Sequence, residues 1–160
     1  MSTTSPKTLA EFDSFEMAVL DGFASMIAEN PDARVPLWYE YDPAVPAPSG
    51  ALVVGIDRYP QGKDASVTLS EYTVDDDVSL SDSIVGIQVA IWSKDRRQVK
   101  RITSDLFDLF HGRTHGMLGV VTLVMARRSS GTNVGQDSNE RQGRTENYYL
   151  TVHRPSPHRS

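Results

Sequence analysis

The sequence SIVGIQVAIW, residues 83–92, alternates apolar and mixed positions and decides the fold. Val85, Ile87, Val89 and Ile91 fall on one side of a two-residue period. The stretch is therefore predicted to be a strand with one strongly apolar face and one mixed face, which also carries Trp92.

A helix is predicted directly after this strand. Ser93 is expected to cap it, and Asp95 suits its positive first turn. Gly112 is expected to end it in the left-handed conformation. An apolar stripe recurs at steps of three and four residues: Val99, Ile102, Leu106, Leu109 and Phe110. This β-α unit predicts a core and no particular chemistry.

The flanking sequence adds one helix and several strands. Residues 8–29 have a helical apolar pattern, with Thr8 and Glu11 at the spacing of a capping box, and Pro31 ends it. Strands are predicted over residues 35–41, 51–56, 65–74, 120–127 and 144–154. Loops are predicted over the proline-rich residues 42–50, the acidic residues 75–82, residues 111–119 and the long polar stretch 128–143.

This order predicts an α+β domain, with two helices packed on one face of a mixed, mostly antiparallel sheet of about five to six strands. A single domain is expected over residues 8–154, between a flexible N-terminus (residues 1–7) and a flexible C-terminal tail (residues 155–160). Two helices leave part of the other face and the sheet edges open. Pairing with neighbouring copies is one way to close such edges.

Composition narrows the function classes. The chain has 160 residues, of which 39% are hydrophobic and 23% charged, with a net charge of −5. This net negative charge argues against tight, sequence-independent binding of nucleic acid. The absence of cysteine excludes disulfides, thiolate catalysis and sulfur-ligated zinc. The N-terminal residues lack the apolar core of a signal peptide, and no apolar run approaches the roughly 20 residues that span a membrane.

No motif predicts a catalytic, cofactor-binding or metal site. The acidic run at Asp75 lacks the downstream glycine and glutamate of a calcium loop. His111 and His115 are four residues apart, but glycines make a helix there unfavourable and no third ligand is evident. The glycines before Lys63 do not have phosphate-loop spacing. We therefore expect no enzyme and no cofactor.

Two sets of residues are candidates for contacts with other molecules. The first is a basic helix face, interpreted as a solvated face, a lumen surface or a neighbour contact in preference to a nucleic-acid site: Arg96, Arg97, Lys100 and Arg101. The second belongs to the polar and proline-rich segments and is predicted to contact subunits or partners: Arg128, Gly135, Asp137, Arg141, Arg144, Pro43, Pro46, Trp38 and Tyr41.

Several segments, in their order and spacing, resemble the tail terminator proteins of long-tailed bacteriophages, also called tail completion or minor capsid proteins. They are the strand of residues 85–92 leading into a helix that ends in FDLFHG (107–112), the strand of residues 120–128, GQD (135–137), Gly143-Arg144 and NYYLTV (147–152). VVGID (53–57) and the turn at Tyr59-Pro60 resemble an earlier strand of that family. The resemblance covers most of the chain.

The resemblance implies a structural virion protein and no enzymatic activity. Family members form a ring, commonly a hexamer, that caps the head-proximal end of the tail tube, ends its polymerisation and joins the head. The implied partners are further copies of the chain, the tail tube protein and a head–tail connector or stopper protein. DNA would pass through the lumen without specific binding, no membrane is involved, and assembly would take place in the host cytoplasm.

Three alternatives remain. Within the structural class, the chain could be another head–tail connector, such as a stopper or completion protein. From a different class, it could be a small nucleic-acid-binding domain that uses the helix face from Arg96 to Arg101. A hydrolase or ligand-binding domain would need a deep pocket with convergent polar groups, and the sequence indicates none.

Overall fold

The computed structural model describes residues 8–60, 64–76 and 82–155. Its elements follow the order α1 (Phe15–Ala28), β1 (Leu37–Tyr39), β2 (Leu52–Ile56), β3 (Ala65–Asp76), β4 (Asp82–Ser93), α2 (Arg96–Phe110), β5 (Thr114–Leu118), β6 (Val121–Gln136) and β7 (Gln142–His153). Within these residues the strands form one seven-stranded sheet in the order β1-β2-β3-β4-β7-β6-β5.

The predicted α+β class and the mixed sheet are confirmed, but the sheet has more strands than expected. The strands from β3 through β4, β7 and β6 to β5 pair antiparallel, whereas β1, β2 and β3 run parallel to one another. The sequence placed strands at β2 and β3 without indicating this parallel order, because residues 60–64 look like an ordinary turn that joins a pair of strands.

Strand β4 lies at the centre of the sheet, and its alternation correctly predicted which of its faces is buried. Val85, Ile87, Val89 and Ile91 are buried on the face that carries the helices. Trp92 lies on the other face, where its ring meets Tyr59 edge-on. Long pairings with β3 and β7 hold β4 in register along its whole length.

Both helices cover the same face of the sheet. Helix α2 contacts β4, β7 and β6, while α1 contacts β1, β2 and β3 and also reaches β5 and β6. The rings of Phe23 in α1 and Phe110 in α2 stack 3.9 Å apart, and Tyr148 of β7 packs against both. These three buried side chains centre the core between the helices and the sheet.

The N-terminal helix is shorter than predicted. The expected helix of residues 8–29 is divided into a 3-10 turn, Leu9–Glu11, and α1, which begins at Phe15. Thr8 N–H donates to Glu11 Oε2 over 3.3 Å, so the capping-box spacing serves the short turn. Ser14 starts α1 because its Oγ accepts the N–H of Met17 over 3.1 Å.

The cap of α2 is Asp95 and not Ser93. The Asp95 carboxylate accepts the N–H of Arg97 over 2.8 Å, whereas Ser93 Oγ accepts the N–H of Asp95 over 3.1 Å. An ionised carboxylate is the stronger acceptor at a helix N-terminus. The predicted apolar stripe is correct, and Gly112 has the expected positive φ of 82°.

Two predicted loops are wrong. Residues 111–119 contain β5, which the three glycines of that segment obscured. The expected long polar loop of residues 128–143 is mostly strand, because β6 continues to Gln136 and β7 begins at Gln142. Serine, threonine and glycine form this part of β6, and its pairing with β7 outweighs their weak strand preference.

Strand β3 extends into the predicted acidic loop as far as Asp76, and β4 begins at Asp82. The rest of that loop, together with the predicted flexible residues 1–7 and 156–160, lies outside the described residues. The proline-rich residues 42–50 form a loop, as predicted.

Candidate interaction surfaces

A groove with three cations lies between α2 and the strands β6 and β7. Its open volume is about 320 Å³. Lys100 and Phe107 project from the exposed side of α2, while Arg128 and Arg144 rise from the strands beneath. Thr103, Ser104 and Asn133 complete the lining, which includes no acidic side chain among the described residues. We call this surface the basic groove.

The carboxylate of Glu146 lies beneath the groove and holds two of these cations, Arg128 and Arg144, in place. Its side chain is fully buried, although it carries a carboxylate. Arg128 Nε lies 2.7 Å from Glu146 Oε2, and Arg144 Nε donates to Glu146 Oε1 over 2.5 Å. Arg144 Nη1 also donates to Asn133 Oδ1 over 3.1 Å. Both guanidinium groups are therefore oriented in advance, which reduces the entropy lost when an anionic partner binds.

Only part of the predicted basic helix face contributes to this groove. Lys100 lines it, whereas Arg101 turns back toward Asp95, 3.7 Å away. Arg96 and Arg97 are exposed at the N-terminal end of α2. The structure thus joins Lys100 with Arg128 and Arg144, which the sequence had assigned to a separate segment.

Asp137 and Arg141 form a structural latch in the turn between β6 and β7. Arg141 is fully buried, and its Nε donates to Asp137 Oδ2 over 2.8 Å. Its Nη1 donates to the Pro60 carbonyl over 3.0 Å and to Ser66 Oγ over 3.2 Å. Within the chain, the latch ties this turn to Pro60, which follows β2, and to Ser66 in β3. The predicted partner contact of Asp137 and Arg141 remains a prediction.

The carboxylate of Asp137 is the negatively charged group to which Tyr59 and Arg141 both bind in the latch. Tyr59 donates its hydroxyl proton to Asp137 Oδ2, and the main-chain N–H of Arg141 donates to Oδ1 over 2.8 Å. Burial opposes ionisation, but the hydrogen bonds from Tyr59 and Arg141 and the charge of Arg141 prevail and lower the pKa of Asp137 to about 2. The Arg141 guanidinium also lies over the Tyr59 ring, 4.8 Å from its centre.

The outer half of β6 is a sheet edge. Strand β5 pairs with β6 only as far as Met125, and the main chain at Ala126 bonds to Gly112 and Arg113. Beyond Arg128, whose N–H donates to His111 Nδ1 over 3.0 Å, residues 129–136 pair with β7 alone among the described residues. We call residues 129–136 the free edge of β6. It contains Gly135, at a φ of 84°, beside a register shift.

A second free edge lies on β3. Strand β2 pairs with β3 only from Ser66 to Leu69, so residues 70–76 pair with β4 alone among the described residues. We call residues 70–76 the free edge of β3. It ends in the exposed carboxylates of Asp75 and Asp76, and Val74 before them is also exposed.

The proline-rich loop lies beside the edge strand β1. Pro43 and Pro46 are exposed in this loop, and Trp38 and Tyr41 are half-buried at its start. Tyr39, between them, donates its hydroxyl proton to Asp21 over 2.8 Å, and burial together with that contact raises its pKa. Partner contacts by this loop stay a prediction.

The two histidines occupy different settings. His111 stacks on Phe107 and accepts from the Arg128 main chain, which fixes the end of α2 against β6. His115 lies in β5 at a φ of 50°. Among the described residues, no group of three or more metal-ligating side chains is close enough to hold an ion. None of the described helices is long and apolar enough to cross a membrane.

Sequence reasoning missed the central role of Glu146. A glutamate in an alternating strand normally faces solvent, but Glu146 is fully buried on the same face as Tyr148. The one available signal was its position on the same side of the period as Tyr148, Leu150 and Val152. Phe107 was likewise noted only as part of a motif.

No protein-family model matches the sequence, and no curated protein matches it either. The fold is similar to that of a chain in the virion of a native gene transfer agent particle, with a TM-score of 0.55 and 13% sequence identity. The alignment covers 87% of this chain and 94% of that chain. At this level of identity, the similarity establishes a shared fold.

Proposed function

We propose that this chain is a structural protein of a phage-like virion. Copies of it form a ring, a hexamer as in the family it resembles, that caps the head-proximal end of the tail tube. The ring ends tube polymerisation and provides the surface that joins the head. The proposal assigns no catalytic activity and no cofactor to the chain.

The observation that carries this proposal is the fold similarity to a virion component. The alignment spans nearly the whole of both chains, so it is the entire domain that is similar and not a common sub-motif. The sequence resemblance to tail terminators rests on separate evidence, namely the order of short segments along the chain. Both lines of evidence support a structural protein of a virion, and the sequence resemblance is the one that points to the tail and its junction with the head.

The surfaces described above are compatible with a ring. The free edges of β3 and β6 differ from each other, and contacts between unlike surfaces generate closed rings when the rotation permits. The net charge of −5 would limit adhesion of DNA to the wall of a lumen. The further partners in this proposal are the tail tube protein and a connector or stopper protein.

The nearest alternative is that the chain is another head–tail connector, such as a stopper, because a stopper would use the same kind of ring. Nucleic-acid binding through the basic groove is less favoured. Two of its three cations are already paired with Glu146, and the chain as a whole is acidic. Such binding would appear as a direct affinity of the purified chain for DNA that falls steeply with salt.

Tube capping tests the proposal directly. The tail tube protein of the same particle is polymerised with and without the purified chain, and tube lengths and ends are measured by electron microscopy. We expect elongation to stop, with the chain located at one end of each tube. Tubes of unchanged length with bare ends would contradict the terminator role. Binding to completed heads alone would instead favour a stopper.

A further inference from the structure

We infer that the free edge of β3 on one copy docks against the free edge of β6 on the next copy, with its acidic end beside the basic groove. This inference rests on the ring of the proposed function and identifies the contact that would build it. The occupant of the basic groove is therefore a second copy of this chain.

The two free edges cannot meet within one copy. Asp76 is level with Ser83 at the start of β4, whereas Gln136 is level with Gln142, which pairs with Ser93 at the end of β4. Ten residues of strand separate these two far ends, which is roughly 30 Å, while the near ends at Ser70 and Ser130 are both level with Gln88. The two free edges also point away from each other within the plane of the sheet, because β4 and β7 lie between β3 and β6. Any contact between them joins two molecules.

Charge selects this pairing over a symmetric one. Asp75 and Asp76 are exposed, and neither forms an ion pair with another described residue. The free edge of β6 has no charged side chain of its own but is bordered by Arg128 and by the basic groove. Pairing two β6 edges would bring cations together, and pairing two β3 edges would bring carboxylates together. Only the unlike pair brings opposite charges together.

The register places the opposite charges on the same face of the sheet. Asp76 pairs with Ser83, which shares the helix-bearing face with Val85 and Ile87. Arg128 pairs with Tyr148 and Asn133 with Arg144, again on that face. If the sheet continues from one copy to the next, Asp76 therefore lies on the side where Lys100 and Arg144 line the groove.

The absence of cysteine allows a direct test by cross-linking. Val74 and Val134 are exposed on the two free edges, with 37% and 44% of their surface accessible. We would mix separately purified Val74→Cys and Val134→Cys proteins and add a short bis-maleimide. A cross-linked dimer of the two different variants is expected, with little product from either variant alone. A Glu29→Cys protein mixed with Val134→Cys serves as the control, since Glu29 is exposed at the end of α1.

Charge reversal tests the role of the basic groove in the same assay. Lys100→Glu or Asp76→Lys should lower the yield of the mixed dimer by about five-fold, and placing one on each partner should restore it. Lys94→Glu is the matched control, because Lys94 is exposed next to α2 and pairs with Asp64 outside the groove. Arg128 and Arg144 are left intact because they neutralise buried Glu146.

Each failure has a distinct meaning. A ring detected by mass without the mixed cross-link overturns the inference and leaves the proposed function intact. Cross-linking of Val134→Cys with itself indicates a symmetric contact and also overturns it. If Lys100→Glu lowers the affinity for DNA but leaves the yield of the mixed dimer unchanged, the groove binds phosphate and not a second copy. A monomer under all conditions contradicts both the inference and the ring.

Discussion

Gly22 in α1 lies against the main-chain carbonyl of Leu118 at the end of β5. A β-carbon built on Gly22 would be 2.4 Å from the Leu118 oxygen, and one built on Gly119 beyond it would be 3.0 Å from the α-carbon of Gly22. This contact seats α1 against the turn between β5 and β6, at one edge of the sheet, while the same helix also contacts β1 at the other edge. The glycine is required by its surroundings and not by its backbone angles.

Gly22→Ala should destabilise the protein, although alanine is the better helix former by about 1 kcal/mol. The added methyl group meets main-chain atoms, which cannot rotate away, so we expect the free energy of unfolding to fall by about 2 kcal/mol. Urea denaturation followed by circular dichroism measures it. Gly116→Ala is the control, since a β-carbon there meets no atom within 4 Å. If Gly22→Ala instead raised the free energy of unfolding, the space between Gly22 and Leu118 would have to be wide enough for a methyl group.

Glu146→Gln tests the buried anion beneath the basic groove. The amide keeps the shape of the side chain but cannot neutralise Arg128 and Arg144, so the free energy of unfolding should fall by about 1–3 kcal/mol. Glu140→Gln, at an exposed turn, should change it by less than about 0.5 kcal/mol. Equal effects of the two substitutions would mean that Glu146 contributes no more than a surface charge.

The latch at Asp137 predicts a pH dependence. Its folded-state pKa is about 2, below the usual value of 3.8, so the carboxylate contributes stability that is complete above about pH 4. That contribution is lost as the pH falls from about 4 to about 2. Over this interval the wild-type protein should lose about 1 kcal/mol more stability than Asp137→Asn.

Thermal denaturation at a series of pH values measures this difference. Asp32→Asn, which removes an exposed carboxylate elsewhere, should retain the wild-type pH profile. If Asp137→Asn also follows the wild-type profile, the contacts of Asp137 with Tyr59 and Arg141 do not stabilise the ionised form.

The sequence predicted the parts of the fold that have strong periodicity. The alternation around Ile87 and the stripe through Ile102 and Leu106 identified β4, α2 and the face that each buries. Such patterns report burial directly, because one face of each element must leave water. The two-helix α+β class followed from their order.

The parts that sequence reasoning missed depend on long-range pairing. β5 and the outer half of β6 have few apolar residues, and only their neighbours in the sheet make them strands. The basic groove could not be foreseen as a unit, because Lys100 and Arg144 lie far apart in sequence and meet through the packing of α2 on β7. The same holds for Arg141 and Tyr59.

The mass of the purified protein in solution, measured across concentration and ionic strength, tests the central claim that copies of this chain form a closed ring. We expect one discrete assembly, a hexamer of the 17.7 kDa chain, that weakens as salt screens the contact between Asp76 and the basic groove. Monomer at every concentration, alone and with tail tube protein, would contradict it. So would a series of open oligomers that grows without limit.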